Sequence, residues 1–509
     1  MRFTSLIVEL IRARPVLVFW LVALAQAALW FILPAVLYSS PPGDVALNLA
    51  YGREYLLGSV QGPPLSFWVA DIAFRAAGNS ILGVYLLSQI CSVASLWAVF
   101  RLGRAIVGAQ HAALATLLTV TITAFAFPSL EFGPHILAQP FWALTLLSAW
   151  RIIGEGRRNA WFALSIHAGL LLLTTHAAPL MLAMLAVFAL ATKRGRRMLT
   201  SFDPVFALIV VVVLVTPYAM FAARSDTGLN VQLPDLTRLQ DGLWRWLDIV
   251  GGVALALAGI ALLVIVNSRR LNRSDEPERA PVIFRPPVDP IGRNFVYCFA
   301  IAPLAVFSTL AALYDIPALV AGLGTVLLLS GLGVVVAAGD LIHLRRQQFL
   351  RQVWAWIIGA PALFVIALTI AQPWVLGTEV RTMVPARDLG AFFADSFQRR
   401  TGQPLRAVAG DPQLATLIAY AAPRRPHLLL DAAPSRTPWL SFQKFNESGG
   451  VIVWRTADTA GTPPDEIARR FPGIVPEVPR AFQRYLTGRQ PLLRVGWAIV
   501  RPGQAAATR

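Results

Sequence analysis

About eleven stretches, each roughly 18 to 25 residues long and mostly apolar, recur along the chain, and each is long enough to cross a hydrocarbon core of about 30 Å. They lie near 15–38, 80–107, 110–128, 134–153, 159–175, 177–192, 204–222, 246–267, 294–313, 316–342 and 353–372. The polar gaps between them alternate in charge. Basic residues collect at Arg2, Arg12 and Arg14, at Arg101 and Arg104, at Arg151, Arg157 and Arg158, at Lys193–Arg197, from Arg269 to Arg293, and at Arg345, Arg346 and Arg351. The gaps near 39–79, 128–134, 173–178, 223–245 and 313–317 carry few. The excess of Lys and Arg on the cytoplasmic side predicts a cytoplasmic N-terminus and outward-facing poor gaps. The first stretch follows a basic start but is too long for a signal-peptide core and lacks a small-x-small cleavage site, so it reads as an uncleaved helix. The break at Thr174-Thr175-His176 is thin, which leaves open a re-entrant helix in the 159–192 region.

After Pro373 no further spanning stretch occurs, and an odd number of crossings puts residues 374–509 outside. Leu405–Gly410 and His427–Asp431 read as short buried strands flanking a helix at Pro412–Ala422. Val451–Arg455 and Leu492–Val500 read as further strands, with a helix at Pro464–Phe471 between them. The chain thus divides into a membrane domain over 1–373, with an outward loop at 39–79 and a Pro-rich cytoplasmic linker at 267–293, and a small α/β domain over 374–509.

Composition agrees: 56% of the residues are hydrophobic. The net charge of +17 is accounted for by cytoplasmic loops and a basic C-terminal region, which argues against a nucleic-acid partner. Cys91 and Cys298 fall inside apolar stretches, so no disulfide framework follows.

Candidate chemistry concentrates in the first outward loop. From Val45 to Leu57 the apolar residues have helical spacing, and a helix lying on the bilayer surface is predicted. Asp44 stands at its start, where Asp is a common N-cap and the helix dipole favours the ionised form. Pro63-Pro64 ends the excursion.

An outward Asp directly after the first helix, a surface helix and a Pro-Pro-Leu about twenty residues on resemble the polyprenyl-phosphate-dependent glycosyltransferases of the GT-C superfamily. The aminoarabinose, galacturonic acid and mannose transferases of families 39 and 83 are the nearest in kind. The resemblance continues through Gly133–Arg151 and Gly169–Arg197 and covers roughly the first 220 residues. It implies an inner-membrane enzyme of a bacterium that moves a sugar from a polyprenyl-phosphate donor to a periplasm-facing acceptor: lipid A, lipopolysaccharide or another envelope lipid or glycan. It implies a GT-C membrane fold with a small periplasmic domain after the last helix, and Asp44 as the general base. Glu131, the acid of the second outward loop, matches a position where the family keeps a supporting carboxylate; a solvated loop carboxylate is the other reading. The chain departs from the family at Asp44-Val45 in place of Asp-Glu, at Gln61-Gly62 in place of Asp-His, and at Thr175-His176 in place of a Lys or Tyr. A carboxylate pair would favour a divalent metal. Val45 removes that pair, so a metal stays open but disfavoured, and no cofactor is assigned.

Base catalysis requires an ionised carboxylate within hydrogen-bond reach of the acceptor hydroxyl, and a departing phosphate requires positive charge. Arg224 and Arg245, flanking the fourth outward gap, are candidates for that charge; snorkelling anchors are the alternative. Tyr51, Arg53, Gln61, Pro63 and Pro64 are candidates for substrate contact, although Arg53 could instead pair with Glu54, and Asp71 with Arg75 reads as a surface ion pair. His135 and His176 sit at outward helix ends, as substrate contacts or as interfacial hydrogen-bonded histidines, without metal-ligand spacing. Two rivals remain: a non-catalytic envelope-assembly scaffold, which the missing Glu and His favour, and a flippase or transporter, against which the scarcity of intramembrane charge and of broken helices in matching halves argues.

Overall fold

The computed structural model describes the chain except residues 1–2, 60, 128–129, 225–238, 269–281, 322, 431–435, 487 and 504–509; for residues 3–7 and 239 only the backbone is described. It forms two compact units, Met1–Leu33 with Val84–Leu363, and Pro34–Gly83 with Phe364–Arg509.

The first unit is helical. Among the described residues seven helices are long and apolar enough to cross a membrane: Pro15–Leu37, Leu82–Val107, Pro134–Ile153, Asp203–Arg224, Leu239–Val266, Pro290–Tyr314 and Gln347–Val375. An eighth crossing arises if Ala178–Ala191 and Lys193–Leu199, bent by 106° at their junction, count as one span. The protein is a multi-pass membrane protein, with fewer long helices than the eleven expected. The shortfall has local causes. The 110–128 stretch is helical only at Ala109–Thr119, then turns and resumes for four residues at Thr123–Ala126. The 159–175 stretch yields a 13-residue helix, Ala160–Leu172, that ends at the Thr-Thr-His turn. Residues 316–342 break into a 3₁₀ turn at Pro317–Val320 and a short helix at Ser330–Ala337. Glycine permits the second of these helices to pack closely: a Cβ at Gly331 would stand 2.4 Å from Thr119 Oγ1 and 2.6 Å from the Ala115 carbonyl. Such backbone-to-backbone contact is how helices associate where no hydrophobic drive separates them from lipid.

The core of this unit is mainly aliphatic, with aromatic contacts running through it. Phe19 stacks on Phe100 at 4.7 Å, Trp142 meets Phe307, and Phe295 packs against Phe188, Phe299 and Trp150. Of the 267–293 linker, residues 269–281 lie outside the described residues, but Val282–Phe284 is a strand (β1) paired antiparallel with Leu341–His343 (β2). Arg285, 3% exposed, extends this pairing through Asp340.

The second unit holds a five-stranded mixed sheet of order β4-β3-β5-β7-β6, built from β3 (Ala407–Gly410), β4 (His427–Leu429), β5 (Gly450–Arg455), β6 (Glu477–Phe482) and β7 (Leu493–Val500). β3 is parallel to β4 and β5; β7 is antiparallel to β5 and β6. The expected strands and the helices Pro412–Ala421 and Asp465–Arg470 occur within a residue or two of their predicted bounds. β6 was not anticipated: it is mostly exposed and contains Pro479, which an edge strand tolerates because its outer N–H groups need no partner. Nor were the helices Ala386–Thr401 and Phe442–Ser448, whose apolar residues cover the two faces of the sheet.

The segment from Pro34 to Gly83 belongs to this α/β unit. Its helix forms at Val45–Arg53, shorter than the predicted 45–57. Its apolar residues are covered by protein: Val45, Leu49 and Tyr51 are buried, and Leu47 and Ala50 pack on the core of the sheet. A second helix, Leu65–Ala76, starts directly after Pro63-Pro64 and packs on the first. Gly52 sets that approach, since a Cβ there would lie 2.1 Å from the Phe67 carbonyl oxygen.

Candidate functional site

Asp44 stands at the N-terminal end of the Val45–Arg53 helix, and its backbone carbonyl accepts the first helical bond from Asn48 N at 2.8 Å. Its carboxylate makes no capping hydrogen bond, so the side chain is left exposed and uncommitted by the helix. The segment leading to it is anchored to the chain that follows the last long helix. Ser39 N and Ser40 N both donate to the Thr382 carbonyl, at 2.9 and 3.0 Å, and the Ser40 hydroxyl donates to the Arg381 carbonyl at 2.8 Å.

These anchors leave a pocket of about 240 Å³ beside Asp44. Asp44, Gly43 and Leu47 line one side, and Thr416, Leu417 and Leu430 line another. Three arginines also line it: Arg381, Arg436 and Arg455. Arg455 is oriented by an ion pair with Glu379 and by a 3.2 Å hydrogen bond from Nη2 to Gln413 Oε1. Gln413 is in turn set by Asp411, which caps the Pro412–Ala421 helix through the Gln413 and Leu414 amides. Arg381 is exposed and forms no ion pair among the described residues. An aspartate and three arginines lining one pocket suit a site that binds a phosphate and accepts a proton beside it. The volume lies below the range of about 300–1,000 Å³ usual for larger ligands, so it suits a headgroup rather than a lipid chain.

None of the three arginines was identified from sequence. Each is hundreds of residues from Asp44, and each stands in an arginine-rich domain where no spacing marks it out.

Around the pocket, several candidates have structural partners. The Tyr51 hydroxyl donates to the Arg436 carbonyl at 2.8 Å, and Tyr51 meets Trp439 edge-on at 5.1 Å. Burial pushes its phenol above the ordinary value near 10, against the opposing pull of Arg436 and of a hydrogen bond with Gln61. Gln61 lies in the Ser59–Gly62 turn that delivers Pro63 and Pro64 to the next helix. Glu54 does not pair with Arg53. It meets His427 Nδ1 at 2.6 Å, and the Arg53 guanidinium is half-buried, with Nη1 lacking a hydrogen-bond partner among the described residues. Asp71 with Arg75 is not a surface pair either. The Asp71 carboxylate is fully buried and is held by Arg75 Nε, Arg425 Nη1 and the Tyr55 hydroxyl.

The remaining candidates belong to the helical unit. Glu131 is exposed in the turn before the Pro134–Ile153 helix, His135 is in the first turn of that helix, and His176 is in the turn between Ala160–Leu172 and Ala178–Ala191. Arg224 ends its helix exposed, and Arg245 pairs with Asp315 at 2.8 Å. The Arg245 charge is therefore partly spent. Among the described residues no three His, Cys, Asp or Glu side chains cluster as metal ligands.

By sequence the chain matches a known family over about a third of its length, and by fold it resembles solved proteins over nearly all of it. Residues 61–221 match the family described as dolichyl-phosphate-mannose-protein mannosyltransferase. The structure resembles ArnT from Cupriavidus metallidurans bound to undecaprenyl phosphate, with a TM-score of 0.55, at 14% identity, over 95% of this chain and 97% of that one. The apo state of the same protein matches equally, at TM-score 0.55 and 14% identity, over 95% and 97% of the two chains. At that identity the likeness is one of fold. No curated protein matches the chain by sequence.

Proposed function

We propose that the protein transfers a sugar from a polyprenyl-phosphate carrier to an acceptor on the outward face of a bacterial inner membrane: lipid A, lipopolysaccharide or another envelope lipid or glycan. The acceptor hydroxyl oxygen attacks the anomeric carbon and gives its proton to the Asp44 carboxylate. The bond from that carbon to the phosphate oxygen breaks, polyprenyl phosphate leaves with the bonding pair, and the sugar's configuration inverts. Arg381, Arg436 and Arg455 hold the donor phosphate and offset the charge that develops as it departs. Glu131 is kept as a supporting acid, and Arg224 as a further phosphate contact, with a role second to the pocket arginines.

The observation that carries this reading is Asp44, whose carboxylate makes no capping hydrogen bond, at a pocket lined by three arginines. The undecaprenyl phosphate bound by the ArnT of similar fold supports the donor class. The alternation of basic and neutral gaps supports a cytoplasmic N-terminus and an outward α/β unit.

The test is transfer by purified protein from a panel of polyprenyl-phosphate sugars to an envelope lipid extract, comparing wild type with Asp44→Asn. Loss of a positioned general base predicts a fall of about 10²- to 10⁴-fold. Undiminished transfer by the variant would move the base elsewhere, with Glu131→Gln tried next. Absence of transfer by wild type from every donor would favour a scaffold.

A further inference from the structure

A second cavity, unrelated to the Asp44 pocket, lies in the helical unit. It is a groove of about 880 Å³ lined by the Phe3–Ala13, Pro15–Leu37, Ala109–Thr119, Leu239–Val266, Ser330–Ala337 and Gln347–Val375 helices. Its walls are aliphatic almost throughout, with Val22, Leu117, Leu257 and Val334 among them, and the far wall is tied in place by Trp354, whose indole N–H donates to the Leu117 carbonyl at 3.0 Å. The polar lining gathers mainly at one end, at Asn267, Gln347 and Arg351. That end is the basic one, where Arg12, Arg14, Arg345 and Arg346 also stand.

Asn267 is already consumed there: its amide donates to the His343 carbonyl at 3.0 Å, and its Oδ1 accepts from Arg345 N at 2.9 Å. Arg351 is exposed and has no hydrogen-bond or ion-pair partner among the described residues. The groove therefore presents an apolar channel with a cation at its mouth. From Leu257 to Asn267 the helical rise is about 15 Å, at 1.5 Å per residue. That is half of a hydrocarbon core of about 30 Å, the depth of one leaflet. An apolar void of this size holds no stable water, and in a membrane the available filler is a lipid chain.

We infer that this groove is a binding site for an anionic phospholipid of the leaflet on the basic side, its acyl chain between the helices and its phosphate at Arg351. The occupant is matched by depth, by apolar lining and by charge. A polyprenyl chain meets the lining but exceeds one leaflet in length, and a zwitterionic lipid meets the depth but not the charge. Basic sites between spanning helices are known to select anionic headgroups on this physical ground.

The test is native mass spectrometry of the full-length protein released from nanodiscs containing phosphatidylglycerol and phosphatidylcholine of identical chains, with polyprenyl phosphate as a third arm. One arginine near an anionic surface predicts about five-fold preferential retention of phosphatidylglycerol. In Arg351→Ala that preference falls to parity. In Ala338→Trp, which fills the groove, adducts of either lipid diminish. A photoactivatable phosphatidylglycerol supplies a measurement free of any variant: crosslinks within residues 257–267 and 344–354 support the site. Equal retention of the two phospholipids by wild type, stronger retention of polyprenyl phosphate, or crosslinks confined to other helices would each overturn it.

Discussion

Asp71 Oδ1 accepts a 2.6 Å hydrogen bond from Arg425 Nη1, joining residues that stand 354 apart in the chain. The Asp71 side chain is fully buried and that of Arg425 is 12% exposed. Arg425 Nη2 also donates to the Leu49 carbonyl at 3.0 Å, and its guanidinium lies over the Phe74 ring. One arginine therefore bonds to both helices of the 34–83 segment from a position beside β4. Asp71→Ala leaves the largely buried Arg425 without its ionic partner, and Arg425→Ala takes from Asp71 the more buried of its two cations; either should destabilise the α/β unit by about 3 kcal/mol. Arg75→Ala, at the half-exposed partner, should cost less than about 1 kcal/mol. Denaturant unfolding of the solubilised protein, with proteolysis to locate the opening, measures both. Equal costs at the two arginines would contradict the assignment.

The pocket arginines should matter unequally to transfer. Arg455 is oriented by Glu379 and Gln413, so it loses little entropy on gripping a phosphate. Arg455→Ala should lower kcat/KM by about 10²-fold, in the range for loss of one preorganised charge-assisted donor. Arg245→Ala, which is not among the residues lining the pocket and pairs with the exposed Asp315, should change it by less than about three-fold, as expected for a surface charge. Steady-state kinetics with a single donor distinguishes the two.

Gly52→Ala places a methyl group where the Phe67 carbonyl oxygen stands at 2.1 Å. Backbone cannot yield as a flexible side chain does, so the helices must separate at a cost of about 1–3 kcal/mol. Activity should fall with it, because Asp44 rides on the displaced helix. A lowered unfolding midpoint together with reduced transfer checks this; an unchanged midpoint would refute the close contact.

Burial holds the Tyr51 phenol above its ordinary value near 10, so the folded state binds that proton more tightly than the unfolded state. The associated stability is fully present below about pH 10 and is lost as pH rises through the folded value. Wild type should therefore lose stability relative to Tyr51→Phe above about pH 10, and the difference between the two should be constant from pH 7 to 9. Thermal midpoints across that range provide the measurement.

The sequence by itself determined the class of solvent each segment meets. Long apolar runs and alternating basic gaps identify a multi-pass membrane protein, because the bilayer imposes a minimum length and cytoplasmic loops retain positive charge. Asp44 and the Pro63-Pro64 turn were legible for a similar reason, since both depend on near neighbours and on a local resemblance. The strands β3, β4, β5 and β7 were legible as short apolar runs, whereas β6 was not, because an exposed edge strand has no burial pattern to reveal. Tertiary structure alone decided which helices stop short, because a backbone contact such as Gly331 with Ala115 depends on a partner far away in the chain. It alone brought the 34–83 segment and the C-terminal sheet into one unit, buried Asp71 against Arg425 and gave Glu54 to His427. It also supplied Arg381, Arg436 and Arg455 to the pocket beside Asp44. Charges at such separations interact only after the chain has folded, and nothing in their own surroundings along the sequence records the partner.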